Sequence, residues 1–181
     1  MSEAVPSKRA LLVVDMQVGL FHGPDRPHDG ERVLANVNRL IRAAHDAGAP
    51  VYFARHTGPA GSPLDPQAPL TALIPELEVD RARATTVFDK TRPNCFAGTQ
   101  LAEWLHAAGV REIVIAGMKT QYCIDTTCRA SADVGLRAVL VADAHTCMDT
   151  PALPAERIIQ HHNATLDGPF ATVTSTAACT F

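Results

Sequence analysis

The sequence lacks several features that would assign the protein to a common class. No apolar stretch approaches the 18 or more residues that cross a membrane, and residues 1–8 are polar and too short for the apolar core of a signal peptide. Basic runs are absent as well, and 16 Lys and Arg against 19 Asp and Glu give a net charge of −3, which disfavours nucleic acid and membrane surfaces as partners. We therefore expect a cytoplasmic protein that acts on a small molecule.

Cysteine pairs, glycine-rich loops and lysines are scarce too. The five cysteines contain no CxxC pair and are odd in number, which argues against a disulfide framework and a tetrathiolate zinc site. The first predicted strand is followed by Asp15-Met-Gln-Val-Gly19 instead of a GxGxxG turn, so a nucleotide-binding module is disfavoured. The chain has 13 Arg but only 3 Lys, so a lysine at a defined place indicates a need for a compact ammonium group.

Short apolar runs alternate with amphipathic segments along the chain. The length of 181 residues and a hydrophobic content of 46% predict one domain, residues 1–181, with residues 1–8 as an N-terminal tail. The apolar runs predict strands over residues 10–14, 50–54, 85–88, 111–116, 137–142 and 170–174. Helical spacing predicts helices over residues 31–44, 101–108, 123–134 and 155–166. The alternation predicts an α/β fold with a parallel sheet covered on both faces, and the proline-rich residues 58–75 predict a surface excursion.

Three polar residues follow predicted strands. Ligands of open parallel sheets bind beyond the carboxyl ends of the strands, where Asp15, Lys90 and Cys123 would all lie. A carboxylate that accepts the thiol proton and an ammonium that stabilises negative charge would together activate the thiol as a nucleophile. Each residue alone is weak evidence, because a strand-terminal Asp is commonly a cap, a lone Cys a packing residue and a loop Lys a solvated charge.

The motifs around these residues resemble the isochorismatase-like cysteine hydrolase superfamily. The matching segments are Asp15-Met-Gln17, Lys90-Thr-Arg-Pro-Asn-Cys-Phe-Ala-Gly-Thr99 and Gly117-Met-Lys-Thr-Gln-Tyr-Cys123, and the likeness runs from about residue 9 to residue 175. The resemblance implies a Rossmann-like three-layer α/β/α sandwich with a six-stranded parallel sheet. It also implies a catalytic triad in which Cys123 is the nucleophile, Asp15 accepts and donates the proton, and Lys90 is the cation between them.

The segment before Cys123 carries two further expectations. The resemblance implies a non-proline cis peptide between Met118 and Lys119, which would aim the backbone N–H of Lys119, together with that of Cys123, at an oxyanion. Because Cys123 starts a predicted helix, we expect the helix dipole to lower the pKa of its thiol and leave it partly ionised. Weaker candidates for contacts with the substrate are Gln17, Phe21, Phe96 and Tyr122.

This constellation predicts hydrolysis of a C–N bond in a small amide, carbamoyl compound or lactam through a thioester, without a cofactor. Isochorismatase-type cleavage of a vinyl ether is an alternative, but in the family it can run on the Asp without a thiol, so Cys123 favours C–N cleavage. Nicotinamidase is a second alternative. Its metal-binding Asp-x-His pattern is broken here, since Arg55-His56 leaves one histidine, and we expect no metal. A redox-active thiol protein is the alternative outside the hydrolases.

The carboxyl-terminal part of the sequence gives two looser indications. Residues 158–166 are similar to the streptothricin hydrolase and general amidase branch of the superfamily. Adjacent His161 and His162 would diverge by about 100° on a helix, so we expect them to be surface or interface residues and not ligands of one ion. The family resemblance, together with flat faces around Trp104 and this helix, predicts a homo-oligomer.

Overall fold

The six predicted strands form one parallel sheet. A computed structural model describes residues 9–80 and 82–181, so the predicted tail over residues 1–8 lies outside the described residues. Neighbouring strands pair in parallel in the order β3-β2-β1-β4-β5-β6. The strands are β1 (Arg9–Val14), β2 (Val51–His56), β3 (Thr85–Lys90), β4 (Glu112–Met118), β5 (Arg137–Thr146) and β6 (Ala171–Thr174). The predicted α/β fold is confirmed.

Helices and short turns connect the strands. The α-helices are α1 (Val18–Phe21), α2 (Gly30–Asp46), α3 (Leu101–Ala107), α4 (Asp125–Ser131) and α5 (Ala155–Leu166). A π-helical turn, Thr120–Ile124, precedes α4, and 3₁₀ turns cover Pro69–Thr71 and Ala132–Val134. The predicted excursion over residues 58–75 is irregular apart from its one 3₁₀ turn. The short helix α1 is absent from the sequence prediction because four residues are too few to show a helical period.

Both faces of the sheet are apolar, which produces the three layers. In β1, Leu12 and Val14 contribute to one hydrophobic cluster while Leu11 and Val13 contribute to the opposite one. This is the alternation of a strand that is buried on both sides, and it explains the continuous apolar run in the sequence. Helix α2 packs against one face, and α3, α4 and α5 contribute side chains to the cluster on the other face.

Most predicted elements agree with the structure to within two residues at each end, but two differ by more. The helix predicted over residues 123–134 is instead a π turn, α4 and a 3₁₀ turn in succession, so Cys123 precedes the α-helix. Strand β5 runs to Thr146, four residues beyond the predicted end, and its pairing with β4 resumes at His145 after a bulge between Ile115 and Gly117. Bulges of this kind redirect side chains and commonly lie beside active sites.

The strand order reverses between β1 and β4. The chain builds β1, β2 and β3 outward in one direction and then returns to the other side of β1 to build β4, β5 and β6. Ligands of open α/β sheets bind outside the carboxyl ends of the strands at such a reversal. Asp15 directly follows β1 and the π turn with Cys123 follows β4, so both lie at this point.

Candidate active site

Asp15, Lys90 and Cys123 come together in the folded chain. The Nζ atom of Lys90 donates a hydrogen bond to Oδ2 of Asp15 at 2.9 Å and one to Sγ of Cys123 at 3.3 Å. All three residues are buried, with exposed fractions of 1%, 2% and 8% respectively. An acid, a cation and a thiol are therefore in direct contact and shielded from bulk water, which strengthens the electrostatic coupling among them.

Close packing of β1 against β4 positions Asp15 next to the π turn Thr120–Ile124, which contains Cys123 and which we call the nucleophile turn. Gly117 of β4 pairs with Val14 of β1, and a Cβ atom on this glycine would lie 2.2 Å from the carbonyl oxygen of Val14. Only glycine permits this approach. Directly after Val14, Asp15 adopts a left-handed backbone conformation with φ of 51°, which turns the chain at the end of the strand.

Lys90 reaches the site from two strands away. It is the last residue of β3, which is separated from β1 by β2, and its side chain crosses the end of β2 beside His56 to meet Asp15. Burial alone would lower the pKa of Lys90, but neighbouring negative charge, that of Asp15 foremost, outweighs burial and raises the pKa. The group is thus a buried ammonium, and it also donates to the carbonyl oxygen of Arg92 at 3.3 Å.

The surroundings of the Cys123 thiol differ from the sequence expectation. Burial first, and then the negative charge of Asp15, raise its pKa to about 12, although the ammonium of Lys90 acts in the opposite direction. Cys123 lies inside the π turn before α4 and is desolvated there. Burial and Asp15 thus act against the partly ionised thiol that the sequence predicts, and the ionisation of Cys123 stays a prediction to be tested.

The segment between β4 and Cys123 has the expected backbone. The peptide bond between Met118 and Lys119 is cis. The carbonyl oxygen of Lys119 accepts hydrogen bonds from the backbone N–H groups of Tyr122 and Ile124, which closes the turn around Cys123. Lys119 and Cys123 both line the cavity described next, so both residues would border a substrate bound there.

A cavity of about 410 Å³ opens above the buried groups. Its inner end holds Asp15 and Cys123, and its outer part, which we call the apolar mouth, consists of Leu20, Leu64, Leu70 and Tyr122. In the mouth, Leu64 is 44% exposed and Leu70 and Tyr122 are each 54% exposed. The sequence did not single out the leucines, because they lie in the irregular segment 58–75 or in α1 and follow no period that would mark them.

The four weaker candidates for substrate contacts divide into two pairs. Gln17 and Tyr122 line the cavity, whereas Phe21 and Phe96 are buried in the hydrophobic clusters on opposite faces of the sheet, outside the described lining. The Gln17 amide is already engaged, since its Nε2 donates to the carbonyl oxygens of His56 and Thr71 and its Oε1 accepts from the His56 backbone N–H. Gln17 thus joins the end of β2 to the excursion that supplies the mouth.

His56 belongs to the site, although the sequence left it as an isolated histidine. It is the last residue of β2, and its Nδ1 lies 3.1 Å from Nζ of Lys90. Burial and the positive charge of Lys90 lower the pKa of His56, so the imidazole is neutral. Because the ammonium can only donate, Nδ1 accepts and Nε2 carries the proton. We refer to Asp15, His56, Lys90 and Cys123 together as the charged cluster.

The charged cluster does not fit a metal ion. Ligand atoms of Asp15, His56 and Cys123 lie within 4.8 Å of one another, a grouping that could hold a metal by distance alone. However, the Lys90 ammonium lies within 3.3 Å of an atom of each of the three. A second cation would be repelled by this group, which already compensates the negative charge of Asp15.

Comparison with known proteins identifies the family. The model of the isochorismatase domain matches residues 9–178 of the chain. The chain belongs to the isochorismatase family. An isochorismatase from Pseudomonas putida KT2440 superposes with a TM-score of 0.85 at 32% identity, over 98% of this chain and 93% of that one. The resemblance read from the three sequence motifs is thereby confirmed, as is the fold it implied.

Relatives in the isochorismatase family include hydrolases with named substrates. A streptothricin hydrolase from Streptomyces noursei is 36% identical over 146 residues, which are 81% of this chain and 52% of the relative. The chain thus spans about half the length of that protein. Nicotinamidase 3 from Arabidopsis thaliana is 29% identical over 147 residues, covering 75% of this chain and 71% of the relative. Both of these relatives are hydrolases by name.

Several other expectations concern the surface and surroundings of the protein. His161 is exposed and His162 is half-buried, with its Nδ1 located 2.8 Å from the carbonyl oxygen of Ile158. Among the described residues, no helix is long and apolar enough to cross a membrane. The single domain, the homo-oligomer and the cytoplasmic location stay predictions.

Proposed function

We propose that this protein hydrolyses the C–N bond of a small amide, carbamoyl compound or lactam through a thioester on Cys123. The observation that carries the proposal is the contact of Lys90 Nζ with both Asp15 Oδ2 and Cys123 Sγ inside a buried cluster at the end of a cavity. A thiol, a carboxylate and an ammonium in contact are the parts that nucleophilic catalysis of acyl transfer needs.

Asp15 is the proton acceptor for the thiol in this proposal. The raised pKa of Cys123 means that the thiol keeps its proton near neutral pH, so attack on a carbonyl requires a base at hand. One carboxylate oxygen of Asp15 lies within 4.8 Å of Sγ. The Oδ1 atom of Asp15 is buried without a hydrogen-bond partner among the described residues. A proton acceptor needs such an available oxygen.

The acylation step then follows with its charges balanced. As Asp15 takes the proton, Sγ of Cys123 forms a bond to the carbonyl carbon, and the carbonyl oxygen becomes an oxyanion that the backbone N–H groups of Lys119 and Cys123 would bind. Protonated Asp15 donates its proton to the leaving nitrogen as the C–N bond breaks. An amine or ammonia departs, and a thioester remains on Cys123.

Hydrolysis of the thioester repeats these roles with water. The Asp15 carboxylate takes a proton from water, whose oxygen attacks the thioester carbonyl, and the C–S bond breaks. The proton returns from Asp15 to the departing sulfur, which regenerates the neutral thiol and releases a carboxylic acid product. Lys90 stays an ammonium throughout and offsets the negative charge that Asp15 carries whenever it is unprotonated.

The apolar mouth supports a substrate whose remaining part is uncharged and apolar. Leu20, Leu64, Leu70 and Tyr122 border the opening, and the remaining wall includes Pro63 and Pro93. Binding sites of this kind are mostly apolar with a few polar groups that orient the reacting bond. The outer wall offers no arginine fork for a carboxylate among the described lining residues.

The alternatives are less well supported. Vinyl-ether hydrolysis would leave the buried thiol and its contacts without a role. A redox function would favour an accessible thiol of low pKa, whereas Cys123 is 8% exposed with a raised pKa. A metal-dependent nicotinamidase would need the Asp-x-His ligand pattern, which is broken at Arg55-His56 in this chain, and exhaustive chelation is therefore expected to leave turnover unchanged. Loss of activity on chelation, restored by one added metal, would contradict this expectation.

The test is a screen of small amides, carbamoyl compounds and lactams for ammonia or amine release. Cys123→Ala should abolish release while circular dichroism and the melting temperature stay near wild type, and mass spectrometry should locate a trapped acyl adduct on Cys123. The matched control is Cys179→Ser, which alters a partly exposed thiol away from the cavity. An adduct on Cys95 or Cys128, or hydrogen peroxide consumption without hydrolysis, would refute the proposal.

A further inference from the structure

A second histidine, which is buried, contacts the nucleophile turn from outside the cavity. His145 lies near the end of β5 and is 1% exposed. Its Nδ1 is 2.9 Å from Oγ1 of Thr120, and its Nε2 is 2.8 Å from Oδ1 of Asn163 on α5. Thr120 is also buried and directly follows Lys119, whose backbone N–H is an oxyanion donor in the proposed function.

The bulge in the sheet brings His145 to this position. Ile115 pairs with Leu140, but Gly117 pairs with His145, so two steps along β4 correspond to five steps along β5. In a regular ladder the partner of Gly117 would have been Ala142. The three additional residues place an imidazole beside the turn that follows β4.

The hydrogen-bond directions in this network are determined by its partners. Nδ2 of Asn163 donates to the carbonyl oxygen of Ala142 at 3.3 Å, so Oδ1 of the same amide faces His145 as an acceptor. Nε2 of His145 therefore carries the proton, and Nδ1 accepts the hydroxyl proton of Thr120. Burial lowers the pKa of His145 to about 4, which keeps the imidazole in this neutral form at neutral pH.

We propose that His145 is a positioning residue that fixes Thr120 and thereby holds the backbone N–H of Lys119 where the oxyanion forms. The turn is held from two sides, since the Lys119 carbonyl oxygen accepts from Tyr122 and Ile124 while the Thr120 hydroxyl is held by His145. A largely buried polar network of this kind costs desolvation unless every member is bonded, and it then specifies one geometry. The inference rests on the proposed function of Cys123 and Lys119.

Two reactions of the same thiol separate oxyanion binding from nucleophilicity. Acylation by p-nitrophenyl acetate passes through an oxyanion, whereas alkylation by iodoacetamide displaces iodide and forms none. Thr120→Val removes the hydroxyl at nearly constant volume, and we expect it to slow acylation about tenfold, as a displaced oxyanion donor would. Alkylation should stay within about twofold of wild type, and Thr120→Ser should restore acylation. His145→Leu should reproduce the effect if it folds.

A matched control removes a comparable hydroxyl elsewhere. Thr176 is buried and its Oγ1 donates to Asp143 Oδ1 at 2.8 Å, so Thr176→Val should lower the melting temperature without changing either rate. Unchanged acylation in Thr120→Val, or an equal loss of acylation and alkylation, would overturn the positioning role. If wild-type acylation does not modify Cys123 at all, it is the proposed function that fails, and mass spectrometry of the acylated protein distinguishes this outcome.

Discussion

The charged cluster and the apolar mouth are neighbouring parts of one cavity, yet they are built in opposite ways. Each member of the charged cluster lies at the end of a strand or in the turn after one, and Asp15, Lys90 and Cys123 are almost completely buried. The mouth comes from α1, the irregular segment 58–75 and the outer side of the π turn, and much of it is exposed. The comparison indicates that the sheet determines the chemistry while the connecting segments determine which molecule enters.

The exposure of the mouth strengthens this distinction. Of five large apolar side chains that are exposed in the described residues, Leu64, Leu70 and Tyr122 line this one cavity. Exposed apolar groups that gather at one opening mark a binding site, whereas scattered ones do not. Substitutions in the charged cluster should therefore reduce turnover, and substitutions in the mouth should change substrate affinity.

The largest effect is expected for Asp15→Asn. The amide cannot accept the thiol proton or return it to the leaving group, so kcat should fall about 10³-fold with little change in KM. Steady-state kinetics on a substrate from the amide screen measures this. The matched control is Asp89→Asn on β3, which changes an exposed carboxylate paired with Arg55 and should leave kcat within about twofold. A variant at position 15 that keeps a tenth of wild-type kcat would exclude Asp15 as the base.

Lys90→Arg should have the next largest effect although it keeps the charge. The Lys90 side chain is completely buried and its Nζ contacts Asp15, His56 and Cys123 at once. A guanidinium is planar and larger than an ammonium, so it cannot make the same contacts, and we expect kcat to fall about 10²-fold. Arg55→Lys, in a surface pair on the neighbouring strand, is the reciprocal control and should be nearly neutral. Full activity of Lys90→Arg would show that only the charge matters.

The pH dependence of Cys123 alkylation is expected to follow its raised pKa. A pKa of about 12 means that the thiolate is the minor form at all lower pH values, so its fraction rises about tenfold for each pH unit. The rate of iodoacetamide modification should therefore increase from about pH 7 to about pH 10 without a plateau, as measured by mass spectrometry. A plateau reached below about pH 8 would instead support a thiolate stabilised by the helix dipole.

The smallest effect is expected in the mouth. Leu70→Ser replaces an exposed apolar side chain at the opening, and we expect KM for an apolar amide to rise about threefold to tenfold while kcat stays within about twofold. Leu153→Ser, at a leucine of similar exposure outside the cavity, is the control and should change neither constant. A loss in kcat for Leu70→Ser would remove the distinction between cluster and mouth.

The sequence predicted the strands and the triad for the same physical reason. A parallel strand that is buried on both faces needs an unbroken apolar run, as in residues 10–14, and the first polar residue after it marks the carboxyl edge of the sheet. Asp15 and Lys90 follow such runs closely, and Cys123 comes a few residues after another, so their meeting at one edge could be expected. The motifs around them then identified the family.

Other features depend on contacts between residues far apart in the chain. His56 joins the charged cluster only because β2 lies between β1 and β3, so that a side chain 34 residues from Lys90 meets its ammonium. The position of His145 depends on a bulge that the apolar pattern of β5 does not reveal.

The amino-acid sequence by itself predicted the order of elements and the parallel sheet, because these follow from local periodicity, and it predicted that Asp15, Lys90 and Cys123 meet at one edge of that sheet. Only the tertiary structure decided the surroundings of Cys123, since its burial and the negative charge of Asp15 act through space and raise the pKa of the thiol, against the opposing charge of Lys90. It also decided the apolar mouth, because an irregular segment has no period from which the direction of its side chains could be read.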